Sequence, residues 1–232
     1  MQLNLFDQNI SIEEIFEAYY SCRKNKRSTI NAVDFEIDHE QYLYQLWEDI
    51  NLGRYFPGRS IAFIVNKPVK REIFAADFRD RVVHHLIINK LNPFFEKVFI
   101  YDSYACRIGK GTHFGIKRAD RFVRKCSKNY KKDCYVLKLD IAGFFMHINR
   151  KILFNKLKIF IEENYFEANR AILLDLCSKV IFYEPTKNCI IKGDPRGWND
   201  LPKNKSLFYS PKDCGIPIGN LTSQVFANFY LN

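Results

Sequence analysis

Long apolar runs are missing from this 232-residue sequence, and so is any close pairing of its cysteines. No stretch approaches the ~20 consecutive apolar residues of a membrane-spanning helix. The opening MQLNLFDQNISIEE lacks the basic-then-apolar layout of a secretory signal. Seven cysteines, at 22, 106, 126, 134, 177, 189 and 214, form no CxxC. That spacing argues against structural zinc or a disulfide frame, and for reduced thiols in the cytoplasm. Repeats and low-complexity tracts are absent too. What is present is apolar: 47% hydrophobic and 16% aromatic residues make a globular chain able to bury a real core.

Positive charge is confined to one block. Lys67 to Lys132 hold 17 Lys/Arg against 6 Asp/Glu, a surplus larger than the +10 of the whole chain. Such a block is either a solvated basic face or the footprint of a nucleic-acid binder. Phe94, Phe95, Phe99, Tyr101, Tyr104, Phe114 and Phe122 are interleaved with the cations. A single-strand groove needs both, cations for phosphate and rings for bases.

Along the chain, Ser11-Ile-Glu-Glu14 is a capping box, with Ile12, Ile15, Phe16, Tyr19 and Tyr20 at helical spacing behind it. Arg23, Lys24, Lys26 and Arg27 suit that helix's C-terminal end. A second helix is expected over 38–51, with Gly53 as its stop. SIAFIV (60–65) and VKREIFA (69–75), joined by Asn66-Lys67-Pro68, read as a hairpin. Asp77 caps a helix expected to reach Leu91 and to end at Asn92-Pro93. Thr112 to Cys126 is another helix, CYVLKLD (134–140) a strand, and 149–162 and 166–182 two more helices. Residues 184–214 form a loop-rich insert with a short hairpin at 188–192. The closing GIPIGNLTSQVFANFYLN is a Gly/Pro turn feeding a helix whose Phe226, Phe229 and Leu231 are expected to lie uncovered. Together these make an α+β protein with non-sequential strands.

Two places suit chemistry. Asp140 closes an apolar run and precedes Ile141-Ala-Gly-Phe-Phe145. A carboxylate there suits Mg²⁺ shared with substrate phosphates; taken alone, one Asp after a strand more often serves as a turn residue or helix cap. A two-metal phosphoryl transfer needs more than one acid, and no second Asp stands in a comparable setting. The other place is Ala105-Cys-Arg-Ile-Gly-Lys-Gly-Thr-His113. Glycines around Lys110, Arg107 close by and a helix start make either an anion site or a plain turn. Walker spacing is absent. His84, His85 and His113 read as packing or surface residues.

Four segments, in order, carry a family resemblance. They are Arg79-Asp-Arg-Val-Val-His-His85 behind Lys70-Arg71-Glu-Ile; Tyr101-Asp-Ser-Tyr-Ala-Cys-Arg107 with Gly109-Lys-Gly-Thr-His113; Tyr135-Val-Leu-Lys-Leu-Asp140 through Phe144-Phe145; and Leu201-Pro-Lys-Asn-Lys-Ser-Leu-Phe208 with Gly215-Ile-Pro-Ile-Gly-Asn-Leu-Thr-Ser-Gln224. Together they resemble the bacterial reverse transcriptases, RNA-directed DNA polymerases. Ile218 before Gly219 and a closing Gln224 are most similar to the enzymes of diversity-generating retroelements. A retron or group II intron enzyme would carry Gln at 218 and Pro at 224.

The resemblance implies fingers and a partial palm: an N-terminal helical segment over 1–58, fingers over 59–132 and palm over 133–232. It also implies that the chain stops before the Tyr-x-Asp-Asp hairpin that completes the metal site, and so is an inactive fragment as it stands. Asp140, with the Ile141 carbonyl, would bind Mg²⁺; Phe145 would gate the sugar. Arg71, Arg79 and Arg81 would meet the triphosphate or template, Arg81 being alternatively a structural ion-pair partner. Arg107, Lys110, Ile218, Gly219 and Gln224 would meet template or primer. Partners implied are an RNA template, a cDNA or primer, dNTPs and an accessory variability protein, with no membrane. A non-catalytic nucleic-acid-binding module is the reading of different class.

Overall fold

The computed structural model describes residues 9–24 and 30–232; the first eight residues, and Lys26 and Arg27 of the early basic run, lie outside them. The chain opens with α1 (Ile12–Arg23), α2 (Ile30–Ile37) and α3 (His39–Asn51). Ser11 caps α1 through the reciprocal box with Glu14, as the sequence predicts. Helix α2 is unannounced by the sequence pattern. Gly53, at φ 69°, ends the third helix in the left-handed region that glycine enters freely.

Strands β1 (Ser60–Val65) and β2 (Arg71–Ala75) pair antiparallel as the expected hairpin, with Ala62 opposite Phe74. Asp77 then caps α4 (Phe78–Val98), its carboxylate accepting from the Arg79 amide. That helix runs on through Pro93 rather than ending there. Tertiary packing is the reason: Leu91 and Phe95, on either side of the proline, are both fully buried. Phe95 stacks with Phe99 and Phe160 and lies 5.0 Å from Phe229, a cluster whose burial outweighs one lost helical hydrogen bond.

Next come α5 (Thr112–Cys126), the single-turn α6 (Phe144–His147), α7 (Arg150–Asn164) and α8 (Arg170–Phe182). The expected strand at 134–140 does not form; the segment is unpaired and exposed on both faces. Its period-2 pattern suits a strand, yet among the described residues no other strand pairs with it to take up its backbone groups. The expected hairpin at 188–192 is also replaced. β3 (Cys189–Ile191) instead pairs parallel with β1, giving the sheet order β2-β1-β3.

The last helix, α9 (Leu221–Leu231), lies along α4. Phe226 and Phe229 are buried, against expectation, and Leu231 alone of the three stays exposed. One core runs from Ile10 in the N-terminal segment to Phe229. A second, smaller cluster of Ala62, Phe74, Met146 and Leu207 sits between the hairpin and the insert. Among the described residues no helix is long and apolar enough to cross a membrane.

Candidate active site

The stretch Gly215–Asn220 is a seam joining the α6 region to β2. On one side the Gly215 amide donates to the Ile148 carbonyl at 2.9 Å, and the Ile216 amide to that of Phe145 at 3.0 Å. On the other, the Phe74 amide donates to the Ile218 carbonyl at 2.8 Å, and the Ala76 amide to Asn220 Oδ1 at 3.1 Å. Gly219 holds φ 131°, and a Cβ there would lie 2.9 Å from the Phe74 carbonyl oxygen. Its close approach is therefore to β2 itself, and only glycine fits. Beyond the seam, Thr222 Oγ1 and His84 Nδ1 share a buried 2.7 Å hydrogen bond that ties α9 to α4.

This seam brings together residues far apart in sequence. Ile218 and Phe145 are both half-buried against the small cluster of Ala62, Phe74, Met146 and Leu207. Phe145 also reaches the main core, with Phe144 edge-on at 5.7 Å. Asp140 lies just ahead of the Ala142-Gly143 turn that leads into Phe145, exposed, with no hydrogen bond or ion pair among the described residues. Gly143, at φ 61°, lets that turn press against the insert; a Cβ there would lie 2.4 Å from the Asn204 carbonyl oxygen.

The expected cations divide into free and engaged. Arg71, on β2, is exposed and unpaired among the described residues. Arg81 donates to the Ala76 carbonyl at 2.8 Å. Arg79 is paired with Asp49 at 2.8 Å and lies 5.1 Å over the Tyr55 ring. Arg107 is turned inward: Glu96 and the Ile100 and Ser103 carbonyls take its donors, which makes it the latch of the 100–107 loop. Lys110 donates to the Tyr101 carbonyl and sits 4.2 Å over the Tyr101 ring. Arg118 covers the other part of this ladder, 5.0 Å from Tyr101 and 4.5 Å from Phe122. Arg118 and a hydrogen bond from Tyr104 hold the Asp102 carboxyl down to about 2. Gln224 accepts from the Cys106 thiol at 3.1 Å, joining α9 to the same loop.

Two buried acids escape the sequence reading. Asp80 accepts from the Tyr55 hydroxyl at 3.1 Å and the Gly58 amide at 2.7 Å, and burial pushes its carboxyl up to about 6. Glu72 accepts from Trp198, Ser206 and Leu207. A signal for Glu72 does exist in the sequence: it shares the inward parity of Phe74 on β2, where a charge is out of place.

For a divalent cation, the Asp140 carboxylate and the Ile141 carbonyl are hard oxygen donors of the right kind. They fall short in number, since no group of three His, Cys, Asp or Glu among the described residues is placed to hold a metal.

Comparison with curated proteins finds no match. Residues 66–232 match the sequence profile of the family described as reverse transcriptase (RNA-dependent DNA polymerase). That span takes in the hairpin loop, the seam and every site residue named from Arg71 to Gln224, and the chain accordingly belongs to the reverse transcriptase family.

Proposed function

We propose that this chain is the fingers and first part of the palm of a reverse transcriptase of the diversity-generating retroelement group, copying template RNA into cDNA with low fidelity. The observation that carries this reading is the meeting of Ile218 and Phe145 on one apolar cluster, with Asp140 just ahead of the turn that leads into Phe145. Phe145 is the expected sugar gate, and Ile218 stands where the resemblance to other bacterial enzymes calls for Gln. Ile218 has no polar atom to hold a template base or a sugar. Selection then rests on shape alone, and a lost polar contact relaxes discrimination by a few kcal/mol at most. Arg71 offers a free cation to the triphosphate or template, and the Lys110–Tyr101–Arg118–Phe122 ladder offers cations and rings to a single strand.

In the reaction a primer 3′-hydroxyl gives up its proton and attacks the α-phosphate of a dNTP, forming the phosphodiester bond as the α–β anhydride bond breaks and pyrophosphate leaves. Asp140 and Ile141 would hold Mg²⁺, which supplies charge stabilisation to the transferring phosphate when bound. Further carboxylates are required, and the unpaired 134–141 segment is the natural place for a strand bearing them to add. Alone, the 232-residue chain is expected to bind nucleic acid without extending a primer. An accessory variability protein is a further proposed partner.

The test is primer extension on an RNA template, run for this chain and for the full product of its gene. Asp140→Asn in the full product should abolish extension and leave the fold intact, because Asp140 is exposed and makes no hydrogen bond or ion pair among the described residues. Ile218→Gln should lower misincorporation opposite template bases; equal error rates in the two proteins would remove the retroelement assignment. Extension by this chain alone would overturn the incompleteness reading. Its binding-module rival takes over if both proteins bind RNA and neither extends.

A further inference from the structure

We propose that Glu72 is a positioning residue for nucleotide selection, acting through the insert that it clamps beside Phe145 and Ile218. The proposal rests on the reading of those two residues as nucleotide-site residues. Glu72 is 1% exposed, on β2, and no cation pairs with it among the described residues. Its charge is held by three donors from the insert. Trp198 Nε1 and Ser206 Oγ donate to Oε1 at 2.7 and 2.8 Å, and the Leu207 amide donates to Oε2 at 2.6 Å. An indole N–H and a backbone amide can only donate, so the group between them must accept on both oxygens. A carboxylate does that; an amide would turn its own N–H₂ toward a donor.

What the clamp fixes is the wall of the site. Leu207 belongs to the cluster of Ala62, Phe74 and Met146, and Trp198, Phe145 and Ile218 pack against the same cluster. The neighbouring residue on the other side of β2, Ile73, crowds the seam at Gly219, where a Cβ would lie 2.9 Å from its Cγ2. The insert also presses on the Ala142-Gly143 turn that follows Asp140, where the Asn204 carbonyl faces Gly143. One buried carboxylate thus ties β2 to the insert that packs against the Ala142-Gly143 turn, between Asp140 and Phe145. Released, the insert would let Phe145 and Ile218 shift relative to the incoming sugar and base. Displacements of that kind change rate and selectivity without removing any group that touches substrate.

The experiment compares wild type, Glu72→Gln and the milder Ser206→Ala in the full gene product. Leu43→Ala, in the core of α3, is the control for general destabilisation. Amide hydrogen exchange over residues 203–210 reads the clamp directly, because the Leu207 N–H is one of its three donors. Dideoxy-free single-nucleotide addition reads KM, kcat and the dNTP-to-NTP preference. Glu72→Gln should speed exchange at 203–210 and change the dNTP-to-NTP preference on the order of tenfold, with Ser206→Ala shifting both the same way by less and Leu43→Ala shifting neither. Unchanged exchange in both variants overturns the clamp. Faster exchange with a preference equal to that of the control overturns the positioning role and leaves reverse transcription standing. A wild-type protein that adds no nucleotide overturns the functional reading, and the selection role falls with it.

Discussion

Helix α9 and the 134–141 segment are both apolar, and only one is buried. In α9, Val225, Phe226, Ala227 and Phe229 face α4 and α7. In the segment, Tyr135 is 92% exposed, and Leu137 and Leu139 81% each. A helix closes its own backbone hydrogen bonds and needs only a groove for its side chains. An extended segment needs another strand for its N–H and C=O groups before its side chains can be buried at all. Helix α5 stands between the two cases: it forms, yet none of its residues is buried. The lesson is that apolar pattern sets what a segment wants, and a partner decides whether it gets it.

The largest break in this contrast should come from Phe226→Ala. It removes a fully buried ring between α9 and α4, and urea unfolding should show a loss of about 3–5 kcal/mol. Next is Asp80→Asn, on the face of α4 that meets the start of α9. Asp80 titrates at about 6 instead of the ordinary 3.8, because burial disfavours its charge. The folded protein therefore binds that proton more tightly than the unfolded chain. The stability it contributes is present below about pH 4 and is lost as pH rises through about 6. Asparagine mimics the protonated form, so the variant should match wild type at pH 4 and exceed it by roughly 3 kcal/mol above pH 7. Matched unfolding curves across that range check the sign.

Gly219→Ala should cost about 2 kcal/mol, since it combines a positive φ with a Cβ pressed on the Phe74 carbonyl. Thermal unfolding would register it as a lowered midpoint. The smallest effect sharpens the contrast from the other side. Leu137→Ala should change stability by less than about 0.5 kcal/mol, because the side chain already lies in water. A loss of several kcal/mol there would show that the segment is packed in solution.

Much of the fold was legible beforehand for local reasons. The Ser11 box, the Asp77 cap, the hairpin 60–75 and helix 112–126 each follow from signals within a few residues. Pro93 misled because a proline is a local signal, and the Phe95 cluster that overrides it is assembled from α4, α7 and α9. Arg107 shows the same divide. Its place in a basic block reads as a phosphate contact, whereas Glu96 and two carbonyls have drawn it inward. Asp140 and Ile218 were legible as motif residues; for Glu72 the sequence offers only its parity with Phe74, since its three partners lie 126 and more residues away.

By itself the sequence determined the family, the 60–75 hairpin and the main helices, and the identity of the exposed carboxylate at 140, because motifs and caps are encoded over short spans. Only the tertiary structure decided which cations stay free, which apolar runs find cover, and that Phe145, Ile218 and Trp198 share one cluster. Those outcomes depend on which surfaces meet when the chain closes. Burial and hydrogen-bond satisfaction are properties of that meeting, and no single segment contains them.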